Sequence, residues 1–558
     1  MGAITSAAQQ DLPAGIVLVV DAHKKLIGTV TDGDIRKALV KGISMDERVE
    51  KIMAKNPITV SSALSVDEMI HVVESKVKDS GRIRGSKVNQ VIVVDDDNQV
   101  VEVFDFFDLW HRQEGLRKDI CIIGTGHVGL TLTVVLAELG FQVTGYDTNN
   151  GLIAEVNKGK VRFFEKGLEP LLRFHLNEKK IRFTTDIKDV KADTYIISVG
   201  TPVDDKTQKP INAHIEAAVR SLGSVLKKDD LVLLRSTVTV GTTRNIVKPI
   251  LEEISGLKAG LDFYLGFAPE RVVEGNAIEE MKSIPQIIGA INKRSLQEAT
   301  RLLERISPSV ILLNSLESAE MVKLINNTYR DYSFAFANNI AQLCDRLGLD
   351  TVRIINAANE GYPRNPVPLP SPGVGGYCLT KDPFLLAEVV KNNGVNPDMF
   401  IQARRMNESM PDFVASKIGK FIEEHFAKAA KIKIYILGIA FKGYPETSDI
   451  RGSSAIDVMN ALNAIYGNRL KWCGYDPVVN EKVVASLGVE FMHYEEGFKE
   501  AHGVLIMNNH PNFKKMDIFS CLEMMHKPGL LFDGWRFFSG DDIERIKGVT
   551  YQGLGGRN

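Results

Sequence analysis

Cysteine is scarce in this chain. Five occur in 558 residues, Cys121, Cys344, Cys378, Cys473 and Cys521, and none forms a C-x-x-C pair. The pattern argues against a disulfide framework and a zinc site and for a reducing compartment, and no metal is expected. Charge of one sign is also missing. Lys and Arg total 68 against 70 Asp and Glu, a net charge of −2, so bulk electrostatics give no reason to expect nucleic acid or an anionic membrane as partner. No apolar run approaches a membrane span and no signal-peptide pattern opens the chain, so a soluble, cytoplasmic protein is the expectation. Met1-Gly2-Ala3-Ile4-Thr5-Ser6 fits the permissive N-myristoylation pattern. Nothing polybasic follows it, and one acyl chain anchors only weakly, so the match is set aside.

What is present is ordinary globular material, 44% hydrophobic and 25% charged, enough for three or four domains. Residues 15–110 hold a repeated order of strand, acidic turn, strand and helix. Gly15 to Val20 runs into Asp21, Lys25 to Thr31 follows, and Asp32-Gly33-Asp34 opens a helix. Later Val91 to Val94 runs into three aspartates, then Gln99 to Phe104, then Asp105 to Trp110. This region resembles a cystathionine-β-synthase-type (CBS) domain pair, of α+β class. The resemblance implies an adenine nucleotide at the first unit, with Thr31 on a phosphate and Asp34 on a ribose. In the second unit Phe104 replaces the hydroxyl while Asp108 keeps the acid, so one site is well equipped. The plainer role for such acids is helix capping.

Residues 111–118 read as a polar linker. From Asp119 strands and helices alternate to about Pro308, the pattern of a parallel sheet covered on both faces. Ser318 to Leu347 is helical with no proline or internal glycine before Gly348, long enough for a spine between domains. A loop rich in proline and glycine, Gly361 to Gly376, follows. A second alternating region starts with Ile432 to Leu437.

Ile120-Cys121-Ile122-Ile123-Gly124-Thr125-Gly126-His127-Val128-Gly129 is an apolar strand running into G-x-G-x-x-G, with a helix at once behind it. The next strand, Gln142 to Tyr146, ends in Asp147. Gly124 suits the tight turn, Gly126 lets a pyrophosphate approach the backbone, and Gly129 lets helix pack on strand. The pyrophosphate belongs on the helix N-terminus, beside His127 and Val128. His127 is read as a helix-start residue, not a catalyst. Asp147 would accept from both ribose hydroxyls and repel a 2′-phosphate, which points to NAD over NADP.

Cys378 lies in Ser371-Pro-Gly-Val-Gly-Gly-Tyr-Cys-Leu-Thr-Lys-Asp-Pro383. Together with the fingerprint, Val199-Gly200-Thr201-Pro202, Ser236-Thr237-Val238, Pro269-Glu270-Arg271-Val-Val-Glu274-Gly275, Lys323 with Asn327, and Phe441-Lys442 before Thr447-Ser-Asp449-Ile-Arg451-Gly-Ser453, it makes the chain from about Lys118 onward resemble the UDP-glucose/GDP-mannose dehydrogenase family. The fold implied is two Rossmann-like doubly wound α/β domains joined by a long central helix. The domains expected are 1–114 (CBS-like, regulatory), 115–317 (NAD-binding), 318–415 (central, dimerisation and Cys loop) and 416–558 (UDP-sugar-binding).

Lys323 and Asn327 are spaced i, i+4, so they share a helix face and can stabilise a developing alkoxide. The ammonium is also expected to lower the Cys378 thiol. Cys378 would form a thiohemiacetal and then a thioester. Glu270 and Asp382 are the candidate bases for its hydrolysis, with Thr237 holding the water. The resemblance makes Glu270 the base, sets Asp382 beside the lysine, and places Thr201, Thr237, Glu274, Lys381 and Arg451 at the cofactor. It places Glu270, Lys323, Asn327, Gly375, Phe441 and Lys442 at the substrate. The double glycine before Tyr377 is read as room for a substrate carbon.

The function expected is an NAD-dependent, four-electron oxidation of the C6 alcohol of a UDP-sugar to the uronate, for surface polysaccharide precursors, in a homodimer or higher homo-oligomer. Pro269 to Gly275, Ile284 to Gly289 and Leu379 to Pro383 look most like dehydrogenases of UDP-N-acetylhexosamines, gluco or manno. Tyr377-Cys378 is closer to UDP-glucose enzymes, the alternative. Thr380 stands where many relatives have proline. A two-electron hydroxy-acid dehydrogenase leaves Cys378 and the second domain without a role. An adenine-nucleotide sensor with an inert dehydrogenase portion leaves Lys323, Asn327, Cys378 and Glu270 unexplained.

Overall fold

The strand that carries the glycine fingerprint, Asp119–Ile123, lies inside an eight-stranded sheet. In the computed structural model the described residues are 16–44, 47–55, 57–79, 90–105, 119–204 and 206–556. They fall into two compact units, divided between Lys118 and Asp119. The N-myristoylation pattern, Asp108, the expected helix after Asp105 and the linker at 111–118 lie outside the described residues.

The N-terminal unit is built on two antiparallel pairs. Ile16–Val20 pairs with Leu26–Thr31, and Gln90–Val94 with Val100–Asp105. The two turns are copies. Asp21 accepts from the amides of His23 and Lys25, Asp95 from those of Asp97 and Gln99. Lys24 and Asn98 both take φ of 63°. Thr59–Ser61 adds a third, parallel strand to the second pair, and the helix Val66–Asp79, which periodicity did not single out, follows it. Leu26, Ile92 and Val94 share a small core.

The eight-stranded sheet runs Val310–Leu313, Gln286–Ala290, Tyr264–Phe267, Leu231–Leu234, Thr194–Ile197, Asp119–Ile123, Gln142–Tyr146, Ile181–Thr184. It is not wholly parallel, as the alternating pattern had implied. Gln286–Ala290 runs antiparallel to Tyr264–Phe267. The helix before it, Ala277–Ser283, has seven residues, about 10 Å of rise. That is too short to recross a strand of about 17 Å, so the chain re-enters the sheet from the end it left. Periodicity reports which residues are buried, not which way a strand runs.

The spine is a helix over Leu316–Leu347, capped by Ser315 and ended by Gly348 in the left-handed region. Asp382–Asn392 and Asp398–Glu408 pack against it, and Met410–Phe426 leads to the last domain. There, six parallel strands run Glu490–Phe491, Leu470–Tyr475, Ile432–Leu437, Gly503–Ile506, Gly529–Asp533, Val549–Gly553. Both expected Rossmann-like domains are present. Asp533-Gly534-Trp535-Arg536 is an internal turn. Asp533 accepts from Trp535 and Phe538 amides, and Arg536 reaches Asp350 at 3.0 Å. No described helix is long and apolar enough to cross a membrane.

Candidate active site

The turn after Asp119–Ile123 needs glycine at two positions for its backbone. Gly124 has φ of +92°, and a Cβ on Gly129 would lie 1.8 Å from the Gly124 carbonyl. Gly126 is the N-cap of the helix His127–Glu138 and supplies no side-chain cap. A Cβ there would meet nothing within 4 Å. A helix end with unsatisfied amides and open space above it is suited to a pyrophosphate, so this turn fits NAD. Asp147 is half-buried and accepts from the Thr125 amide at 2.9 Å, the Thr125 hydroxyl at 3.3 Å and the Asn149 amide at 3.0 Å. The His127 ring packs tilted against Phe163, and burial pushes its imidazole down to about 4. It is neutral near pH 7, in keeping with a helix-start role.

Lys323, Asn327 and the Cys378 loop meet on one face of the spine. Lys323 is buried, and its charge is felt at Cys378, whose thiol is desolvated although the residue as a whole is exposed. Asp382 is fully buried, with one oxygen on Lys381 Nζ at 2.6 Å and the other on Asn327 Nδ2 at 2.5 Å. Lys381 also lies 3.5 Å from the Thr201 hydroxyl, which donates to the Thr237 carbonyl. Thus the described ion pair to Asp382 comes from Lys381. The thiol departs from expectation. Desolvation and the Asp382 carboxylate push it up, and Lys323 and Lys381 offset only part of that. The sequence view counted the nearby cation and not the buried carboxylate.

The double glycine also serves another purpose than the one read. A Cβ on Gly375 would lie 1.9 Å from the Gly452 carbonyl, and one on Gly376 2.6 Å from the Phe441 ring. What comes close is the last domain, not open space. Its loop from Gly438 to Ser453 spans the cleft. Lys442 donates to the Glu274 carbonyl at 2.7 Å, Ser448 accepts from the Phe164 amide at 2.9 Å, and Arg451 stacks on Tyr377 at 4.8 Å. Gly275 takes φ of +90° where a Cβ would strike Glu446. Burial pushes the Lys442 ammonium down to about 8 against the pull of Glu274, and burial with Asp449 pushes Glu274 up.

Glu270 is held differently. Burial works to raise its carboxyl, but Arg235 at 2.5 Å and the amides of Arg271 and Val272 outweigh it and hold the group below the usual range. Gln286 accepts from Arg235 in turn, at 3.2 Å. No described hydrogen bond or ion pair joins Glu270 to Cys378 or Lys323. Sequence reasoning missed Arg235, Asp331, Arg404, Asn407 and Asp476. Two signals were available: Arg235 adjoins the Ser236-Thr237 motif, and Asp331 lies one turn past Asn327.

A bare dinucleotide turn, a thiol beside a lysine, and a second Rossmann-like domain reaching across the cleft define a two-domain nucleotide-dependent dehydrogenase. Residues 118–307 match the NAD binding domain of the UDP-glucose/GDP-mannose dehydrogenase family, 317–409 its central domain and 435–540 its UDP binding domain. The chain belongs to that family. It is an NAD-dependent nucleotide-sugar 6-dehydrogenase. It is 32% identical to the UDP-N-acetyl-D-mannosamine dehydrogenase of Pyrococcus horikoshii, over 78% of this chain and 99% of that protein. The solved structure of UDP-D-ManNAc dehydrogenase from P. horikoshii superposes with a TM-score of 0.70 at 31% identity, covering 78% of this chain and 99% of that one. The UDP-N-acetyl-mannosamine dehydrogenase of Staphylococcus aureus gives 0.66 at 28%, covering 78% and 98%. A UDP-glucose dehydrogenase from Pyrobaculum islandicum gives 0.67 at 26%, covering 80% and 99%.

Proposed function

We propose that this enzyme oxidises the C6 alcohol of a UDP-N-acetylhexosamine, gluco or manno, to the uronate in one four-electron sequence. The observation that carries this is the Cys378 thiol, which lies within reach of the charges of Lys323, Lys381 and Asp382, the last bonded in turn to Asn327. NAD, held at the turn from Gly124 to Gly129, would supply the oxidising power when bound, with one NAD consumed in each of two rounds. Lys323 and Asn327 stabilise the oxyanion at C6. Cys378 adds to the first-formed aldehyde, giving a thiohemiacetal whose oxidation leaves a thioester. Water, held by Thr237 and deprotonated by Glu270, cleaves the thioester to the carboxylate and frees the thiol. The lowered carboxyl of Glu270 is ionised, the form a general base requires, and its pairing with Arg235 makes it a weaker base. Lys442 and Phe441 serve the nucleotide-sugar, while Glu274, Lys381 and Arg451 border the cofactor.

The N-acetylhexosamine choice is supported by the sugars named for the P. horikoshii and S. aureus relatives. UDP-glucose is the alternative, favoured by Tyr377-Cys378 and by the P. islandicum relative. A panel of UDP- and GDP-sugars, with NADH counted per sugar, decides. Two NADH per UDP-N-acetylhexosamine is expected, and Cys378→Ser should abolish uronate. One NADH per sugar, or full turnover by the serine variant, sinks the thioester route.

Residues 15–110 are read as a CBS-type pair that tunes the enzyme, a reading supported by the duplicated turns at Asp21 and Asp95. Thr31 and Asp34 form a capping box, with the hydroxyl donating to the carboxylate at 2.7 Å, so an adenine nucleotide there would add to a cap already made. Calorimetry with AMP, ADP and ATP, with NAD present, should show binding that Asp34→Ala weakens. No binding leaves the pair a structural module. Dimerisation is supported by the exposed row Ile325, Tyr329, Tyr332 and Phe336 on the spine, which a second copy would cover.

A further inference from the structure

We infer that Arg404, together with Asp331 and Asn407, positions the loop that carries Cys378 on the catalytic face of the spine helix. The inference rests on the thiol reading above and extends it to residues that touch no substrate. Arg404 is 1% exposed, among the largest wholly buried side chains in the enzyme. Its Nη1 donates to Asp331 Oδ1 at 2.6 Å and to the Leu379 carbonyl at 3.2 Å, and its Nη2 to the Val374 carbonyl at 3.0 Å. Nε lies 3.4 Å from Glu408. Val374 and Leu379 bracket Cys378, so one planar guanidinium grips the thiol loop on both sides.

Asn407 adds a second hold. Its Nδ2 donates to the Asp331 carbonyl and carboxylate, both at 2.9 Å, and its Oδ1 accepts from Asn338 at 2.9 Å. Asn338 accepts from the Ser371 amide at 2.9 Å. The loop is therefore fixed near its start, before the cysteine and directly after it. All three tethers lead to the spine. Lys323, Asn327 and Asp331 recur there at i, i+4 and i+8, one face of one helix. The fourth tether, Asn327 to Asp382, holds the far side of the loop. The same face thus presents the oxyanion stabilisers and fixes the distance at which the nucleophile meets them.

Stability alone does not call for this arrangement. Replacing a buried ion pair by apolar side chains is often neutral or stabilising, whereas removing one partner is costly. A guanidinium fork accepted by two loop carbonyls instead sets geometry, and a displacement of about 1 Å at a reacting group can cost about 100-fold in rate.

The experiment compares Arg404→Met, Arg404→Lys, and the double variant Asp331→Leu with Arg404→Met, each as the full chain. Melting temperature, kcat, NAD affinity and the rate of Cys378 alkylation by iodoacetamide are measured. Arg404→Met alone should melt low, because it strands the Asp331 carboxylate. The double variant should recover most of the melting temperature and keep NAD affinity within about twofold, yet kcat should stay at least about tenfold down. Its alkylation rate should differ severalfold from the parent. Arg404→Lys, which keeps the charge and loses the fork, should fall between. A double variant with parental kcat and alkylation rate overturns the inference, as does a loss of kcat that only follows melting temperature across the series. Cys378→Ser, run alongside, separates the two ideas. Its full turnover would remove the thiol reading, while the alkylation rates test the loop's position without any turnover.

Discussion

At the end of Asp119–Ile123 the chain reaches its helix in three residues, Gly124 to Gly126. At the end of Ile432–Leu437 it takes sixteen, Gly438 to Ser453. Yet both turns begin alike. Gly124 has φ of +92° and Gly438 +90°. Each donates its amide to the last residue of the neighbouring strand, Tyr146 at 2.8 Å and Tyr475 at 2.9 Å. In each an aspartate one residue further on accepts from the amide after the glycine, Asp147 from Thr125 and Asp476 from Ile439. The difference lies in what fills the space above. Asp147 is left half open over a bare helix end. Asp476 is buried and also holds Ala440 and Asn508. The same backbone device offers its own amides in the first domain. In the second it anchors a long arm that carries Phe441, Lys442 and Arg451 across the cleft.

If that contrast is right, the two aspartates must fail differently. Asp476→Ala strands the amides of Ile439, Ala440, Val478 and Val479. Buried donors left unpaired cost about 1–3 kcal/mol each, partly relieved by water, so a net loss of about 3–5 kcal/mol is expected by chemical denaturation. NAD affinity should stay within about twofold. Asp147→Ala should lose less than half as much stability and about tenfold in NAD affinity, about 1.4 kcal/mol. Equal losses of both kinds in the two variants would break the comparison.

Gly126→Ala sharpens it from the cofactor side. Its φ of −67° suits any residue and no protein atom stands in the way. Stability should hold within about 0.5 kcal/mol, while titration should show NAD binding weaker by about 2 kcal/mol, because the methyl occupies the approach of the pyrophosphate.

The smallest effect concerns the arm. Lys442, ordinarily charged to about 10.5, is pushed down to about 8 by burial. Its charge is present below pH 8 and lost above. Between about 8 and 10.5 the unfolded chain binds more protons than the folded one, so stability rises with pH in that window. Activity should move the other way. If the charge holds the nucleotide, kcat/KM for the sugar nucleotide should fall about tenfold from pH 7 to 9, and Lys442→Met should flatten that limb. A limb unchanged in the methionine variant removes Lys442 from substrate binding.

The first turn was legible because everything it needs lies within thirty residues in fixed order. The second was not, since its glycine and its aspartate are separated by the whole arm and a helix, and Asp476 before a proline looks like any turn residue. Phe441 and Lys442 came from resemblance alone. The same limit hid Arg235 and Arg404. Each is matched to a carboxylate far along the chain, and no periodicity marks a buried ion pair. The spine showed itself through its length and its uninterrupted pattern. The direction of the Cys378 thiol shift was missed because it depends on how deeply Asp382 is buried, a property of packing.

The reversed strand Gln286–Ala290 has one further consequence. A wholly parallel sheet delivers to its carboxyl edge only residues that finish strands. Turning Gln286–Ala290 around, and Val310–Leu313 with it, lets a residue that opens a strand arrive at that edge. Gln286 is that residue, and its amide oxygen meets the guanidinium of Arg235, which directly follows the strand Leu231–Leu234 and grips Glu270. The seven residues of Ala277–Ser283 therefore act as a switch of polarity. A helix long enough to recross the sheet would send Gln286 to the opposite rim, and Arg235 would face Glu270 with its second partner gone.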